Sequence, residues 1–365
     1  MTSPDLALFL PSLSAGGAPR IMINVGKYFD EQGYDVEFVL ARREGEFLED
    51  VSEMNVRGLD SRIIRSVLPL RNYLRSEQPD VLLSTPHAAN LAATWATALA
   101  QTETRHVIRE PTTLSNQARE FTSFKDKMIP PLVKRSYPYA DQFIAISEGV
   151  KRELVEHIGV DESKIEVIYN PIITPDIVQK SKEPVDHPWF DASVPVILGA
   201  GRLTPQKDFP TLIRAFDCLL ERRDARLVIL GEGDERARLE ALTDELGINN
   251  RVDFPGYVDN PYKYMRQADL FALSSAWEGF GNVIVEAMSC GTTVVATDCE
   301  SGPAEILADG EYGYLVPVGD VSKLCTHINK ALEDPFDREM VRSRANEFRR
   351  DKIMPQYEQF LFELK

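Results

Sequence analysis

The chain has 365 residues, 43% of them apolar, with 57 acids against 41 bases for a net charge of −16. That is too long for one ordinary core and enough for two. So acidic a chain is also a poor general binder of nucleic acid, which needs a positive face. The four cysteines, Cys218, Cys290, Cys299 and Cys325, lie far apart and form no CxxC pair. Neither a zinc site nor a disulfide framework is expected, and Cys218 and Cys290 read as small core residues. The start, MTSPDLALFLPSL, lacks the basic region of a signal peptide, and no apolar run approaches the ~18 residues of a membrane span. The expected place of such a chain is the cytoplasm.

Taken in order, residues 6–10 are a buried-strand candidate. They run into Ser14-Ala15-Gly16-Gly17-Ala18-Pro19-Arg20 and a helix to about Asp30. Strand, glycine turn and helix start make a phosphate-site geometry, and equally an ordinary tight turn before a helix. Residues 35–40 read as a strand, 63–77 as a helix, 81–84 as a strand and 88–100 as a helix of small residues. Strands at 105–109 and 142–146, a helix at 148–157 and a segment at 165–169 follow, until Asn170-Pro171 breaks the pattern. Residues 174–192 are rich in Pro, Lys, Glu and Asp without periodicity and read as a linker. The alternation restarts with strands at 194–200, 226–230, 252–254, 269–273 and 293–297, and helices at 209–222 and 235–247. In the last, charged helical segment Tyr357, Phe360, Leu361 and Leu364 have the spacing of a docking face.

Alternating strands and helices predict parallel, doubly wound sheets. The expected fold class is α/β, two Rossmann-like domains facing a cleft, with ligands at the carboxyl ends of the strands. The expected division is 1–175, a linker at 176–192, a second domain at 193–345, and a C-terminal helix at 346–365 packing back toward the first.

The richest stretch is SSAWEGFGNVIVEAMSCG, residues 274–291. Two carboxylates, Glu278 and Glu286, flank a glycine loop and a helix start that Asn282 is suited to cap and Gly291 to end. Val283, Ile284, Ala287 and Met288 give the helix an apolar face. A helix N-terminus suits phosphate and carboxylates suit hydroxyls, so the stretch reads as a nucleotide-sugar site. An ordinary loop before a buried helix, with two surface acids, fits it as well. The loop Gly201-Arg202-Leu203-Thr204-Pro205-Gln206-Lys207-Asp208 adds an Arg and a Lys five apart at a strand's carboxyl end, a pair able to neutralise a diphosphate.

GRLTPQKD, VILGEGDER and VDFPGYVDNPYKYMRQADLFALSSAWEGFGNVIVEAMSCGTTVVATDCESGPAEIL together resemble the nucleotide-sugar half of the retaining glycosyltransferases of family 4, which have the GT-B fold. SLSAGGAPR, IAISEGV at 144–150 and VIYNP at 167–171 resemble the other half. The likeness covers essentially the whole chain, is densest over 194–315, and finds nothing to match in 180–192.

The resemblance implies roles residue by residue. Glu278 and Glu286 match the family's two-acid motif, Glu278 facing the donor sugar and Glu286 holding the ribose hydroxyls. Backbone amides around Gly279, Phe280, Gly281, Asn282 and Val283 bind sugar hydroxyls and phosphates. Arg202 and Lys207 hold the diphosphate and stabilise it as it leaves. Gly231 and Gly233 allow close approach of the nucleotide, whose base lies along Pro255-Gly256-Tyr257-Val258. Gly16 and Gly17 meet the phosphates. His87 contacts the transferred sugar, although a capping or buried polar His reads the same in sequence. Arg109 and Glu110 line the acceptor side.

The implied reaction is retaining transfer of a hexose or N-acetylhexosamine, from a donor expected to be UDP-linked, to a glycan or lipid-linked saccharide in cell-surface polysaccharide or glycoconjugate synthesis. No DxD motif is placed for manganese, so neither a metal nor a cofactor is expected. No nucleophile faces the sugar, which favours a same-face, ion-pair-like displacement. FTSFKDKMIPPLVKRSYPY, residues 121–139, is a basic and apolar patch able to rest on an anionic bilayer and admit a polyprenyl-linked acceptor, a helix with a core face and a solvated face being the plainer reading. A sugar-nucleotide epimerase, which would act with no acceptor present, transfer to a small soluble acceptor, and a non-catalytic binding subunit are the other classes.

Overall fold

The computed structural model describes residues 3–14, 16–118, 128–191 and 193–363. It divides into two units, Met1–Pro171 with Arg350–Lys365, and Ile172–Arg349.

The first unit holds a seven-stranded parallel sheet in the order β3-β2-β1-β4-β5-β6-β7. Its strands are β1 (Leu6–Leu10), β2 (Val36–Leu40), β3 (Asn55–Gly58), β4 (Val81–Ser84), β5 (Arg105–Glu110), β6 (Gln142–Ala145) and β7 (Ile165–Val167). The runs LALFL, VEFVL and VLLS are buried along their whole length, as strands covered on both faces must be. The helices are α1 (Gly17–Glu31), α2 (Val67–Glu77), α3 (His87–Ala100), α4 (Leu114–Ala118), α5 (Ile129–Ser136) and α6 (Glu148–Glu153). Ala89, Ala92, Ala93, Ala96 and Ala100 of α3 form one core with Leu70, Tyr73 and Leu74 of α2. Small side chains let these helices approach closely. Strand order reverses between β1 and β4, so the loops after these two strands bound this sheet's switch point.

The second unit opens with α7 (Pro175–Lys180) and carries a six-stranded parallel sheet in the order β10-β9-β8-β11-β12-β13. The strands are β8 (Val196–Ala200), β9 (Arg226–Leu230), β10 (Val252–Gly256), β11 (Leu270–Leu273), β12 (Val294–Thr297) and β13 (Tyr314–Val316). Among them run α8 (Phe209–Leu220), α9 (Arg236–Glu245), α10 (Pro261–Gln267), α11 (Asn282–Ser289) and α12 (Pro303–Leu307), then α13 (Val321–Glu333) and α14 (Arg338–Ala345). Here the order reverses between β8 and β11. Phe209, Leu212, Ile213 and Phe216 of α8 share a core with Leu324, Cys325 and Ile328 of α13.

Two expectations change here. Cys218 and Cys325 are joined in a disulfide between α8 and α13, although they lie 107 residues apart. Packing of the two helices brings their Cα atoms to 6.1 Å, a pairing that sequence spacing does not reveal. Residues 176–192 are also no free linker, since they belong to the second unit. There His187 Nε2 lies 2.9 Å from Asp253 Oδ2, and Asn260 Nδ2 donates to Lys180 O at 2.9 Å. Buried Ile177 and the Phe190 ring, edge-on to Tyr264 at 5.5 Å, add apolar anchors too few and too scattered to give a period. The two ends of the second unit are tied to one another. Ile172 N donates to Phe348 O at 3.0 Å, and Ile173 bridges to Arg349.

The chain then returns to the first unit as α15 (Arg350–Glu358) and a turn of π-helix, Gln359–Glu363. Tyr357, Phe360 and Leu361 are buried, and Tyr34 Oη donates to Glu358 Oε1 at 2.9 Å. Leu364 lies outside the described residues.

Candidate functional site

In the second unit, the loops after β8 and β11 leave the sheet side by side at its switch point. They are laced together by the backbone and short polar side chains. Ala276 N donates to Gln206 O at 2.8 Å, Gln206 Nε2 to Trp277 O at 3.1 Å, and Ser274 Oγ to Lys207 O at 2.8 Å. The lacing brings Lys207 Nζ to 2.5 Å from Glu278 Oε1, and Ser275 Oγ donates to the same oxygen at 2.7 Å. Ser275 is itself fixed by Thr297 Oγ1, which donates to its carbonyl at 2.6 Å. The Lys207 and Glu278 side chains are only 15% and 9% exposed, so each depends on the other to offset desolvation. Arg202, on the same loop, is exposed and in no ion pair among the described residues. The site therefore holds one neutralised cation and one open to solvent.

Helix α11 starts at Asn282, and its N-cap position is Gly281 in the left-handed conformation, φ 99° and ψ 45°, without a side-chain cap. Asn282 is thus the first helical residue and not the cap, because only glycine takes that turn without strain. Ile284, Val285, Ala287 and Met288 form the buried side, whereas Asn282, Val283 and Glu286 are half-buried. The latter share one face, at spacings of three and four residues. Val283 therefore leaves the apolar face assigned to it and stands beside Glu286. Gly279 is buried, and Phe280 turns its ring into the core, edge-on to Phe348 at 5.6 Å. Gly302, which the sequence did not single out, passes over this loop. A Cβ on it would stand 1.8 Å from Phe280 O.

Gly231 and Gly233 follow β9. A Cβ on Gly231 would lie 2.0 Å from Gly201 O, and one on Gly233 2.4 Å from Leu203 O. Leu203 N donates to Glu232 O at 2.9 Å. The close approach these glycines permit is between two loops of the chain, and it fixes the loop that carries Arg202. Tyr257, after β10, is exposed. Burial, reinforced by Glu278, pushes the Cys299 thiol up to about 12, so no thiolate nucleophile stands beside the pair at neutral pH.

In the first unit, Gly16 precedes α1 and Gly17 begins it, with no side-chain cap; Ala15 between β1 and them lies outside the described residues. His87 begins α3 and is buried, its Nδ1 3.0 Å from Glu110 Oε1 and 3.2 Å from Tyr137 Oη. Tyr137 Oη donates to Glu110 Oε2 at 2.5 Å, and burial beside Glu110 holds this phenol well above its ordinary range. Ser84 Oγ donates to Asn90 Oδ1 at 2.8 Å, so His106, 2.9 Å from the same hydroxyl, must donate from Nε2. Burial drives His106 down to about 3 and keeps it neutral. Among the described residues, His87 Nε2 has no hydrogen-bond partner.

Arg109 and Glu110 are neighbours on β5 and point to opposite faces of the sheet. Glu110 belongs to the His87 cluster. Arg109 is buried, its Nε donating to Tyr357 Oη at 3.1 Å and its Nη2 to Asn170 Oδ1. It ties β5 to the returning α15. Of the stretch 121–139, residues 121–127 lie outside the described residues; the remainder is α5 and the turn Tyr137–Tyr139, with Lys134 and Arg135 exposed. Among the described residues no group of three or more His, Cys, Asp or Glu is placed to hold a metal ion, and no helix is long and apolar enough to cross a membrane.

Residues 15–174 match the family described as Glycosyltransferase Family 4, and residues 186–348 match Glycosyl transferases group 1. The N-acetylgalactosamine-N,N'-diacetylbacillosaminyl-diphospho-undecaprenol 4-alpha-N-acetylgalactosaminyltransferase of Campylobacter jejuni is 36% identical over 67% of this chain and 64% of its own length. The lipopolysaccharide core biosynthesis glycosyltransferase LpsE of Rhizobium meliloti is 29% identical over 95% of this chain and 96% of its own. Among solved structures, Anabaena HepE in complex with UDP and glucose superposes with a TM-score of 0.81 at 23% identity, over 99% of this chain and 100% of that one.

Proposed function

The chain belongs to the family 4 glycosyltransferases, and from that premise we propose that it moves a hexose or N-acetylhexosamine from a UDP-linked donor to a lipid-linked saccharide, with retention, in cell-surface glycan synthesis. The observation that carries this reading is the Lys207–Glu278 pair, held 2.5 Å apart at the switch point of the second sheet with exposed Arg202 on the same loop. An ammonium has three N–H donors. Glu278 takes one and fixes the direction of the rest, so the other two serve phosphate oxygens without reorganisation. Arg202 adds a planar fork suited to the same oxygens. Preorganised cations of this kind stabilise charge as it develops on a leaving diphosphate.

Glu286 stands on the half-buried face of α11 with Asn282 and Val283, where a carboxylate suits ribose hydroxyls. Glu278 is engaged by Lys207 and Ser275, and the Cys299 thiol is neutral, so neither serves as the nucleophile of a double displacement. We therefore read the transfer as a same-face displacement. The sugar's bond to the diphosphate breaks, the acceptor oxygen bonds to the anomeric carbon, and the acceptor's proton leaves on the departing phosphate oxygen. Arg202 and Lys207 make a metal unnecessary in this reading, so chelation with EDTA should leave the rate unchanged. The reading gives His87 the contact with the transferred sugar. UDP is supported by the complex of HepE with UDP and glucose, and the acceptor class by the undecaprenol-linked acceptor in the name of the Campylobacter relative.

A thermal-shift panel of UDP, GDP and ADP sugars tests the donor, since a ligand bound only by the folded state raises its melting point. A rise with UDP sugars alone is expected. A flat response to all three would defeat the proposal.

A further inference from the structure

The side chains around His87 form one chain of hydrogen bonds with a single direction. Ser84 ends β4, His87 and Asn90 share the first turn of α3, and His106 and Glu110 share one face of β5. All five are buried, as is Tyr137 from the turn after α5. His106 Nε2 donates to Ser84 Oγ at 2.9 Å, and Ser84 Oγ to Asn90 Oδ1 at 2.8 Å. Asn90 Nδ2 donates to Tyr137 Oη at 3.3 Å, and Tyr137 Oη to Glu110 Oε2 at 2.5 Å. Every proton points toward Glu110. A carboxylate only accepts, so it is the sink of such a chain, whose members polarise one another in the same sense.

His87 meets the chain at its sink. Its Nδ1 lies 3.0 Å from Glu110 Oε1 and 3.2 Å from Tyr137 Oη. Tyr137 has given its one proton to Glu110, so both neighbours are acceptors and Nδ1 must carry the ring proton. In the neutral ring that leaves Nε2 with a bare lone pair. Among the described residues Nε2 has no hydrogen-bond partner, and neither has Thr85 Oγ1, also buried, at the same end of β4. That end bounds the switch point of the first sheet, where ligands meet such sheets. Glu110 is 1% exposed, and among the described residues it is in no ion pair with Lys or Arg. A carboxylate buried on these terms weakens the fold and calls for a task beyond packing.

We propose that Glu110 is a positioning residue for glycosyl transfer: as the sink of the buried chain it holds the His87 proton on Nδ1 and keeps Nε2 an acceptor, ready for a hydroxyl of the transferred sugar. The proposal rests on the reading above, which brings that sugar to His87. Glu110 itself touches no substrate. With the opposite tautomer Nε2 would be a donor, and the same hydroxyl would have to offer its lone pair in place of its proton.

Glu110→Gln keeps the size of the side chain and removes the sink. Tyr137 still donates to the oxygen on its side, so the amide nitrogen faces His87 Nδ1 and makes it accept, and the ring proton moves to Nε2. The test is nitrogen NMR of the full chain labelled in its histidine rings, with His87→Gln to assign the signals, beside steady-state kinetics. A protonated Nδ1 and a bare Nε2 are expected in the parent and the reverse in E110Q. Turnover in E110Q should fall by about 10–100-fold, with the donor KM within about twofold of the parent. The double variant H87Q/E110Q should be no slower than H87Q alone, because the two residues act as a unit. A proton on Nε2 in the parent overturns the proposal, even if E110Q does not fold. So do an E110Q ring that keeps the parent tautomer, full turnover in E110Q, and losses that multiply in the double variant. Melting with UDP-sugar on the same samples separates the two ideas. A shift in a parent that carries its proton on Nε2 sinks only the role of Glu110, and the expected ring states without a shift sink only the donor reading.

Discussion

The two sheets reverse strand order in the same way, and each places polar side chains at the reversal, but they treat them differently. In the second unit the charges stand on loops, one neutralised pair beside one exposed guanidinium, with the backbone laced so that the pair cannot drift. In the first unit the polar groups are sunk into the core. His87, Glu110, Tyr137, Asn90, Ser84 and His106 form a buried relay in which nearly every donor is spoken for. Loops that hold cations ready suit a ligand that brings its own negative charge. A buried relay suits the fixing of one ring nitrogen in one direction.

The largest break in this comparison is Lys207→Ala. It removes the diphosphate contact proposed above and leaves Glu278 buried without its cation. Transfer should fall by about 10²–10³-fold, and unfolding should cost about 3–5 kcal/mol less. The double variant K207A/E278Q should recover most of that stability and none of the activity. Full turnover in either would remove the pair from the mechanism. Next comes His87→Gln, expected to slow transfer by about 10–100-fold while leaving the UDP-induced rise in melting point intact. A fall in stability with unchanged turnover would make His87 part of the core and nothing more.

How far the two regions were legible in sequence follows the same divide. Arg202, Lys207 and Glu278 stand in glycine-rich loops between apolar runs, and Glu286 on the helix that one of those loops opens, so their place could be read. Ser274, Ser275, Gln206 and Thr297, which hold the pair, left no signal, because single polar residues in loops and at a strand end have no period. Burial of Tyr137 was illegible, since it follows α5, whose two prolines after Ile129 look like a break and are instead tolerated in its first turn. Strand β3, NVRG, is a short edge strand with alternating exposure and reads as loop. The cysteine pairing depends on two helices meeting, and the capping role given to Asn282 went to a glycine because the chain needs a left-handed turn there.

Smaller effects sharpen the picture. His106 is held neutral by burial down to about 3, below its ordinary value near 6.5. The unfolded chain therefore binds a proton that the folded one refuses as pH falls through 6.5. Stability should drop by up to about 1.4 kcal/mol per pH unit between roughly pH 6 and 3 on this account. His106→Gln should flatten that part of the pH–melting curve, and an unchanged slope would place the acid sensitivity elsewhere. Least in energy, burial raises Cys290 to about 11 and Cys299 to about 12, so both should resist alkylation at pH 8 in the folded protein. In denaturant without reductant only those two of the four cysteines should titrate, because Cys218 and Cys325 are joined. Four free thiols would mean that the bond between α8 and α13 is open.

The pairing of Ile172 with Phe348 has a consequence for how the gene can be cut. A segment whose two ends are stitched to each other behaves as a cassette. Residues 172–349 should be expressible as a free-standing module, and a short Gly-Ser splice from 171 to 350 should leave the remainder a continuous chain. On the proposed function, sugar-nucleotide preference should then travel with this one contiguous piece of coding sequence when it is swapped between relatives.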